Sequence, residues 1–340
     1  MDFVRLNFVS PLYTGDASKK ARRVISTGLL GSLRWWYEAI IRGLGGWACD
    51  PTDERLRCPP NGQTVKPETV TRLLCPACQL FGATGWAKRF ILTVEDDTRE
   101  EYPPTGEGRE CTDKRKCANR EGKPVCWYFP SGRGGEVTLR LLPRHPGDDE
   151  VVQILIGLLE FVRRNAALGA KTNLGYGLFE WIEPPKDLPP PEDFARWLAG
   201  RAQRGRRHRS GTWPDLREMF FAEVALNKEW SPTDFVHFKC QLRSAFRKDG
   251  FSARLRHFLL GKVSKKGNEA SKIKMALRPD KRMLRVWGWV PQNLPGGVPR
   301  SDVMEILQEL VGKGGTLTRW QEFSPERSGP KDYLASLMGA

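Results

Sequence analysis

The sequence lacks any apolar run long enough to cross a membrane. The longest one, residues 151–162, is interrupted by Gln153, Gly157 and Glu160, whereas a spanning helix needs about 20 apolar residues. Residues 1–8 also lack the basic head and the apolar core of a signal peptide. We therefore expect a cytoplasmic protein with no membrane partner, in a compartment where thiols stay reduced.

Signatures of common enzymes are absent as well. The sequence contains no zinc-protease helix motif, dinucleotide fingerprint or Ser-His-Asp arrangement, so we expect no nucleotide cofactor. Histidine, a frequent general acid or base, is scarce: the chain has His145, His208, His237 and His257. Asp16 is the one conspicuous acid in an early loop, and it stands without partners. These absences favour a protein that is not an enzyme.

Positive charge is present in excess and is concentrated in one segment. The formal net charge is +15, and residues 201–290 hold 22 Lys and Arg against 8 Asp and Glu. The rest of the chain is close to neutral. Because so basic a segment requires a polyanionic partner or must tolerate its own repulsion, we favour a nucleic-acid-binding face. The alternative is a solvated surface that improves solubility.

The order of predicted elements indicates an α+β protein with two tandem ferredoxin-like, RRM-like domains. In the first domain, residues 1–183, strands and helices follow the order βαββαβ. The predicted strands are 3–9, 89–94, 136–142 and 175–182, and the helices are 26–44 and 148–168. Loop-rich, cysteine-bearing insertions occupy 45–78 and 95–135.

A proline-rich linker, residues 184–191, separates this domain from a second one at 192–340. The second domain is basic and fits a degenerate ferredoxin-like unit. Its predicted elements are strands at 217–226 and 282–290, a helix that begins near Pro232, and a short helix at 302–311.

Four cysteines in the first insertion have the spacing of a metal site. They follow the pattern C-x8-C-x16-C-x2-C, and flanking prolines and glycines place them in a loop that a structural Zn²⁺ would stiffen. The predicted ligands are Cys49, Cys58, Cys75 and Cys78. Alternatively, the first two are bystanders and the last two an ordinary reduced pair. Cys111, Cys117 and Cys126 could share a second ion with a partner or be plain loop thiols, and Cys240 is most simply a core residue.

A glycine-rich loop, residues 169–177, follows the second predicted helix. Its glycines allow a close backbone approach to a phosphate, which Lys171 and Thr172 could contact. Such a loop is often only a turn, but Arg163 and Arg164 lie just before it. A phosphate contact is therefore the preferred interpretation. In the second domain, Lys239, Arg243 and Arg247 recur at spacing four and form a basic stripe on one helix.

Four motifs in the first domain resemble those of the RAMP superfamily of type III CRISPR systems. They are Ser10-Pro11-Leu12-Tyr13-Thr14-Gly15, Gly31-Ser32-Leu33-Arg34-Trp35-Trp36-Tyr37, Leu80-Phe81-Gly82 and the glycine-rich loop. Within the superfamily the chain is most similar to the subunit-one family of the type III-B Cmr effector complex. Asp16 departs from the pattern, since the family usually has a second glycine there. The second domain matches only in outline.

The resemblance implies an RNA-binding subunit that holds the 3′ end of the guide RNA and helps to engage complementary target RNA in antiviral defence. The implied partners are guide and target RNA and the other subunits of the ribonucleoprotein. The candidate RNA-binding residues are Lys19, Lys20, Arg22, Arg23, Arg34, Arg163, Arg164, Gly169, Lys171, Thr172, Asn173, Tyr176, Lys239, Arg243 and Arg247.

Some of these assignments have alternatives. Arg34 could reach a phosphate or pair with Glu38 four residues along the helix. Trp35 is a candidate for base stacking or subunit contact, and Trp36 for the core. Related proteins include endoribonucleases, so cleavage of guide or target RNA is the alternative function, with Asp16 or His237 as the group to test.

Overall fold

The computed structural model describes residues 3–119, 121–205, 213–248, 250–262, 267 and 269–339. The strands in this part are β1 (Phe3–Leu12), β2 (Phe90–Glu101), β3 (Gly108–Cys111), β4 (Cys126–Phe129), β5 (Gly132–Pro143), β6 (Phe179–Trp181), β7 (Met219–Leu226), β8 (Ile273–Leu277), β9 (Met283–Trp289) and β10 (Gly315–Glu322). The helices are α1 (Ser26–Gly43), α2 (Val70–Leu73), α3 (Pro76–Phe81), α4 (Asp149–Asn165), α5 (Pro191–Ala202), α6 (Pro232–Lys248), α7 (Ala253–Leu260), α8 (Arg300–Lys313) and α9 (Pro330–Gly339). None of these helices has the length and hydropathy of a membrane span.

The first sheet has the ferredoxin-like order β2-β5-β1-β6, with antiparallel neighbours throughout. Helix α1 connects β1 to β2, and α4 connects β5 to β6. Alternate residues such as Leu6, Phe8, Val137 and Leu139 are buried, because successive strand side chains point to opposite faces. The predicted βαββαβ order is confirmed, although β2 runs seven residues beyond its predicted end, into the second insertion.

The second sheet repeats this order as β10-β7-β9-β8. Helices α6 and α7 lie between β7 and β8 in the chain, and α8 lies between β9 and β10. The second unit is therefore also ferredoxin-like. The predicted strands near β7 and β9 and the helices near α6 and α8 are present, whereas β8, β10, α5 and α9 were not predicted.

Aromatic side chains join the two sheets and their helices. Trp36 of α1 lies 5.6 Å from Phe161 of α4 and 6.4 Å from Phe221 of β7, measured between ring centroids. Trp287 and Trp289 are also buried, as expected of core or interface residues. Helices α5 and α9 pack on each other and against α4. The two halves thus share a continuous hydrophobic core.

The second insertion is a β3–β4 hairpin attached to the second half by covalent and polar contacts. Cys111 and Cys126 face each other across the hairpin and are disulfide-bonded, and Cys117 is bonded to Cys240 of α6. The two alternatives proposed for the three insertion cysteines, a shared ion and plain thiols, are therefore both wrong, and so is the expectation that these thiols stay reduced. Cys240 is buried, as predicted, but its sulfur atom is bonded to Cys117. The packing of α6 against β3 brings the two cysteines together.

Candidate nucleic-acid interface and metal site

The predicted metal ligands meet in one buried cluster. Cys49 lies after α1, Cys58 lies in the following loop, and Cys75 and Cys78 belong to the tight turn that opens α3. All four sulfur atoms lie within 4.8 Å of one another, and Cys49 Sγ is 3.4 Å from Cys78 Sγ and 3.8 Å from Cys75 Sγ. Tetrahedral Zn²⁺ with bonds of about 2.3 Å separates its sulfur ligands by roughly 3.8 Å. The cluster therefore fits a four-thiolate metal site.

Arg34 belongs to this cluster and not to an RNA-binding surface. Its Nη2 donates to Cys78 Sγ at 3.1 Å, its Nε to Glu38 Oε1 at 2.8 Å and its Nη1 to the carbonyl oxygen of Gly82 at 3.1 Å. The predicted phosphate contact is wrong because every part of the guanidinium has an internal partner, and the alternative pairing with Glu38 is confirmed. A cation at this position also offsets the negative charge of thiolate ligands.

The glycine-rich loop packs closely on the end of β1 and on α1. The backbone N–H of Gly169 donates to Ser32 Oγ at 3.1 Å, and that of Ala170 donates to the carbonyl oxygen of Tyr13 at 2.9 Å. Gly169 has φ +80°, and a Cβ there would lie 2.9 Å from the Tyr13 oxygen. Lys171 also adopts a left-handed backbone, with its ammonium 4.9 Å from the Tyr13 ring.

Tyr176, a predicted RNA-binding residue, is a core residue. Its side chain is fully buried, its ring lies edge-on to Tyr13, and its hydroxyl donates to the carbonyl oxygen of Pro130. No face of the ring is open for a base. The prediction is wrong because the loop turns Tyr176 inward, toward the second insertion.

Arg163 and Arg164 are likewise committed to internal acids. Arg163 Nε lies 2.7 Å from Glu160 and its Nη1 lies 2.6 Å from Glu180, and Arg164 Nε lies 2.5 Å from Glu160. Glu160 also accepts a hydrogen bond from Trp181. One buried carboxylate and Glu180 thus offset the charge of these two arginines, and their contact with phosphate stays a prediction.

Two arginines of the second half cap the end of α4 and a third pairs with Glu180 of β6, and we refer to Arg285, Arg319 and Arg278 as the interdomain clamp. Arg285 Nη1 donates to the carbonyl oxygens of Arg163 at 2.6 Å and Ala166 at 3.2 Å, while its Nη2 pairs with Glu223 at 2.8 Å. These carbonyls lie at the C-terminal end of α4, where a helix leaves acceptors unsatisfied.

The other two clamp residues reach the same region. Arg319 Nη1 donates to the Arg164 carbonyl oxygen at 3.1 Å, and Arg278 pairs with Glu180. Part of the predicted basic face of the second half is thus buried against the first half, where it serves structure.

A cleft of about 580 Å³ opens between the two halves. One wall is the N-terminal part of α1, another is the glycine-rich loop, and the third is formed by β8, β9 and the segment before β8. Its lining includes small, aromatic and cationic residues: Gly28, Gly31, Ser32, Trp35, Gly169, Ala170, Thr172, Lys272, Lys274, Trp287 and Trp289. The cleft combines the candidate loop with a sheet edge of the basic half.

Two lysines supply the positive charge of the cleft. Lys272 Nζ donates to the Phe258 carbonyl oxygen at 2.9 Å and lies 3.9 Å from the centre of the Phe258 ring. The Lys274 ammonium has no hydrogen bond or ion pair within the described ranges of the chain. Burial, with a smaller contribution from the charge of Lys272, lowers the pKa of Lys274 to about 8. An ammonium in this state is stabilised by an incoming anion.

Trp35 gives the cleft an exposed aromatic surface. It is 39% exposed, whereas Trp36, edge-on to it at 4.8 Å, is 3% exposed. An exposed indole beside lysines provides both a stacking surface for a base and cations for its phosphates.

The basic stripe on α6 borders a second, adjoining groove of about 370 Å³, which shares residues 269–271 with the cleft. Lys239 is buried and its Nζ donates to the carbonyl oxygen of Asn173 at 2.6 Å, which ties α6 to the glycine-rich loop. Burial lowers the pKa of Lys239 to about 7, with help from Arg243. Arg243 donates to the carbonyl oxygens of Leu260 and Gly261, whereas Arg247 is exposed.

The remaining predicted contacts lie near the start of α1. Lys19, Lys20, Arg22 and Arg23 are exposed, and Thr172 is at the edge of the cleft. The four basic side chains are accessible to an anionic ligand.

The candidate catalytic groups have structural partners. Asp16 accepts hydrogen bonds from Ser18 Oγ at 2.6 Å and from the backbone N–H of Lys20 at 3.0 Å, and the Ser18 bond lowers its pKa. His237 Nε2 accepts from the backbone N–H of Asp113 at 2.7 Å. His145, His237 and His257 are not among the residues that line the cleft, and His208 lies outside the described residues.

Lys272 and Lys274 are the functional candidates that the sequence analysis missed. A signal was present, since Lys272-Ile273-Lys274-Met275 alternates polar and apolar residues and places both lysines on one face of a strand. Ile273 and Met275 are buried on the other face.

Comparisons with known proteins give one family match and several structural neighbours. The family model described as the RAMP superfamily matches residues 5–180. No curated protein matches the chain. The crystal structure of apo Cmr1 from Pyrococcus furiosus is 14% identical with a TM-score of 0.48, and the alignment covers 98% of this chain and 95% of that one.

Two further neighbours are chains from cryo-EM structures of the type III-B Cmr-beta complex bound to cognate target RNA, one of them also with AMPPnP and in the presence of ssDNA. Both are 10% identical with TM-scores of 0.46. The alignments cover 92% and 91% of this chain and 99% and 98% of theirs.

Proposed function

The chain belongs to the RAMP superfamily, and from this premise we propose that it is a non-catalytic, RNA-binding subunit of a cytoplasmic type III-B CRISPR (Cmr) effector ribonucleoprotein. In that role it holds the 3′ end of the guide RNA and helps to engage target RNA for antiviral defence, together with other Cmr subunits. The assignment to Cmr rests on the motifs of the first domain.

The cleft is the observation that carries the RNA-binding role. Lys274 is a partly buried cation without a hydrogen bond or ion pair in the described part of the chain, Lys272 lies beside it, and Trp35 presents an open indole. Single-stranded RNA is bound in this way, through phosphates on cations and bases on aromatic rings. Lys171 and the exposed basic residues before α1 extend the positive surface from the mouth of the cleft.

The candidate catalytic groups are held in hydrogen bonds within the protein, and this supports a role without catalysis. Asp16 is held ionised by its turn, and His237 accepts a backbone hydrogen bond in the core. General acid–base cleavage of RNA needs groups that exchange protons near neutral pH within reach of the reacting atoms. Among the described residues of the cleft, Lys274 is the titratable group closest to that range, and we assign it to phosphate binding.

The test is binding and cleavage of labelled single-stranded RNA by the purified protein across a salt series, with and without EDTA. We expect intact RNA and a steep salt dependence. In the double variant Lys272→Ala/Lys274→Ala the slope of log K against log salt should fall by roughly 1.4, because each lost phosphate contact on a single strand removes about 0.7.

A matched control is Lys186→Ala/Lys331→Ala, which removes the same charge from two exposed positions and should change the slope much less. Discrete RNA products that disappear in Asp16→Ala or His237→Ala would establish the endoribonuclease alternative. If the slope of log K against log salt were equal in the two double variants, the cleft would not be a site of RNA binding.

We further propose that the cysteine cluster holds one structural Zn²⁺. Metal analysis should give about one ion per chain, and the ion should be lost in Cys75→Ser/Cys78→Ser. The control Cys111→Ser/Cys126→Ser removes two disulfide-bonded cysteines and should retain the metal. Retained metal in the first variant would contradict the four-cysteine assignment.

A further inference from the structure

A separate pocket lies on the far side of α1 from the cleft. Its volume is about 450 Å³, and Tyr37 of α1 forms part of its lining. Tyr37 is two residues from Trp35, which faces the cleft, and this spacing turns the side chain by about 200° around the helix. The helix therefore separates the pocket from the cleft.

The charged side chains that line the pocket are mainly cationic. Four guanidiniums line it, those of Arg89, Arg196, Arg201 and Arg204, and Glu150 is the one carboxylate among its described lining residues. Arginine presents a planar fork of donors that matches the oxygen atoms of a phosphate.

Ion pairs within the protein offset the charge of three of these four guanidiniums. Arg201 pairs with Glu150 at 3.0 Å, and Arg89 and Arg196 pair with Asp148 and Asp193, which are not part of the lining. Arg204 is exposed and has no carboxylate partner within the described part of the chain.

The Tyr37 hydroxyl is the second observation that indicates a ligand. The side chain is fully buried, and its hydroxyl has no hydrogen-bond partner of standard length among the described residues. Burial raises the pKa of Tyr37, and nearby Arg201 offsets part of this rise. A buried hydroxyl without a partner is costly, whereas an anion held by Arg201 would place an acceptor within its reach.

An aromatic wall makes the pocket suitable for more than a bare anion. The half-buried ring of Trp197 lines it beside Arg201, and the volume lies in the range of small-molecule sites. We propose that this pocket binds a nucleotide unit, with its phosphate on the arginines and the Tyr37 hydroxyl and its base against Trp197. The unit is either a free nucleotide or one nucleotide of an RNA chain.

Gly200 allows the pocket to be blocked without disturbing the core. It lines the pocket within α5, and a Cβ at this position would meet no atom within 4 Å. Gly200→Glu introduces a carboxylate there, and Gly200→Ala is its matched control, since both exchange glycine for a side chain in a helix. Tyr37→Phe removes only the hydroxyl.

The experiment measures affinities for 5′-AMP and for a labelled single-stranded RNA by calorimetry and fluorescence anisotropy. For wild type and Gly200→Ala we expect equal AMP affinity, with a loss of at least about tenfold both in Gly200→Glu and in Tyr37→Phe, the latter being the size of one hydrogen bond to a charged group. Lys272→Ala/Lys274→Ala should bind AMP like wild type, so that failure of the RNA-binding cleft and failure of this pocket are separable.

If AMP does not bind but Gly200→Glu weakens RNA binding and Gly200→Ala does not, the pocket holds a nucleotide of the RNA chain. The proposal is overturned if Gly200→Glu leaves both affinities unchanged, or if AMP binding is lost only in the cleft variant.

Discussion

The clamp and the cleft draw on the same basic half of the protein but use its charge in opposite ways. Arg285 on β9 is 7% exposed and satisfies two carbonyl oxygens of α4 and the carboxylate of Glu223. Lys274 on the adjacent β8 faces the cleft and has no hydrogen bond or ion pair among the residues that the structure describes. A local excess of positive charge therefore does not locate a binding site. The site is where the cations have no protein acceptor.

The difference follows from what each strand faces. Strand β9 passes the C-terminal end of α4, whose last carbonyls need donors, and an arginine supplies several donors in one plane. Strand β8 is the edge of the second sheet and borders the glycine-rich loop. Lys274 at that edge faces the open cleft, whereas Lys272, just before the strand, also donates to the Phe258 carbonyl oxygen.

The contrast between the clamp and the cleft predicts that the largest change in the free energy of unfolding comes from a clamp residue. Arg285→Ala should lower the free energy of unfolding by about 3–5 kcal/mol, because it leaves Glu223 and helix carbonyls without a buried partner. Urea unfolding followed by circular dichroism measures this change. Lys274→Ala is the control and should not lower stability, since the lysine has no hydrogen bond or ion pair among the described residues and the burial of its charge is unfavourable.

The same two variants should rank in the opposite order for RNA. At temperatures where both are folded, Arg285→Ala should retain most of its RNA affinity, whereas Lys274→Ala should lose a phosphate contact. If Lys274→Ala were the more destabilised protein, the assignment of the two cations to separate tasks would be wrong.

The sequence was informative where local patterns decide the structure. The strands and helices of the first sheet follow from short hydrophobic periodicities, and the four metal-site cysteines follow from a C-x2-C turn with two earlier cysteines. Both depend on residues close in the chain or on a chemistry with few alternatives.

The partners of the cations could not be predicted in the same way. Arg163 is neutralised by Glu180 as well as by its helical neighbour Glu160, and Arg34 meets Cys78 from a distant part of the chain. The Cys117–Cys240 bond spans 123 residues. Strand β8 is five residues long, so its alternating pattern is a weak signal that can be interpreted once its neighbour β9 is known. Which cations remain free is a property of tertiary packing.

A smaller effect distinguishes a charged cleft from one that binds RNA through shape alone. Burial holds the pKa of Lys274 near 8, so the side chain is charged at pH 6.5 and mostly neutral at pH 9. RNA affinity should fall by about tenfold over this range, because above its pKa the lysine must take up a proton to bind phosphate. Measurements at constant ionic strength would show this loss, and Lys274→Arg, which stays charged, should reduce it.

Stability should change in the opposite direction over the same pH range, which separates lost affinity from unfolding. A buried lysine with a lowered pKa binds fewer protons when folded than when unfolded, so its destabilising effect disappears as the pH rises from about 8 toward its ordinary value near 10.5. Lys274 should therefore add to the free energy of unfolding between pH 8 and 10 while the affinity for RNA falls. A parallel loss of both quantities would mean that the pH effect comes from the fold, and that the charge of Lys274 does not act on RNA.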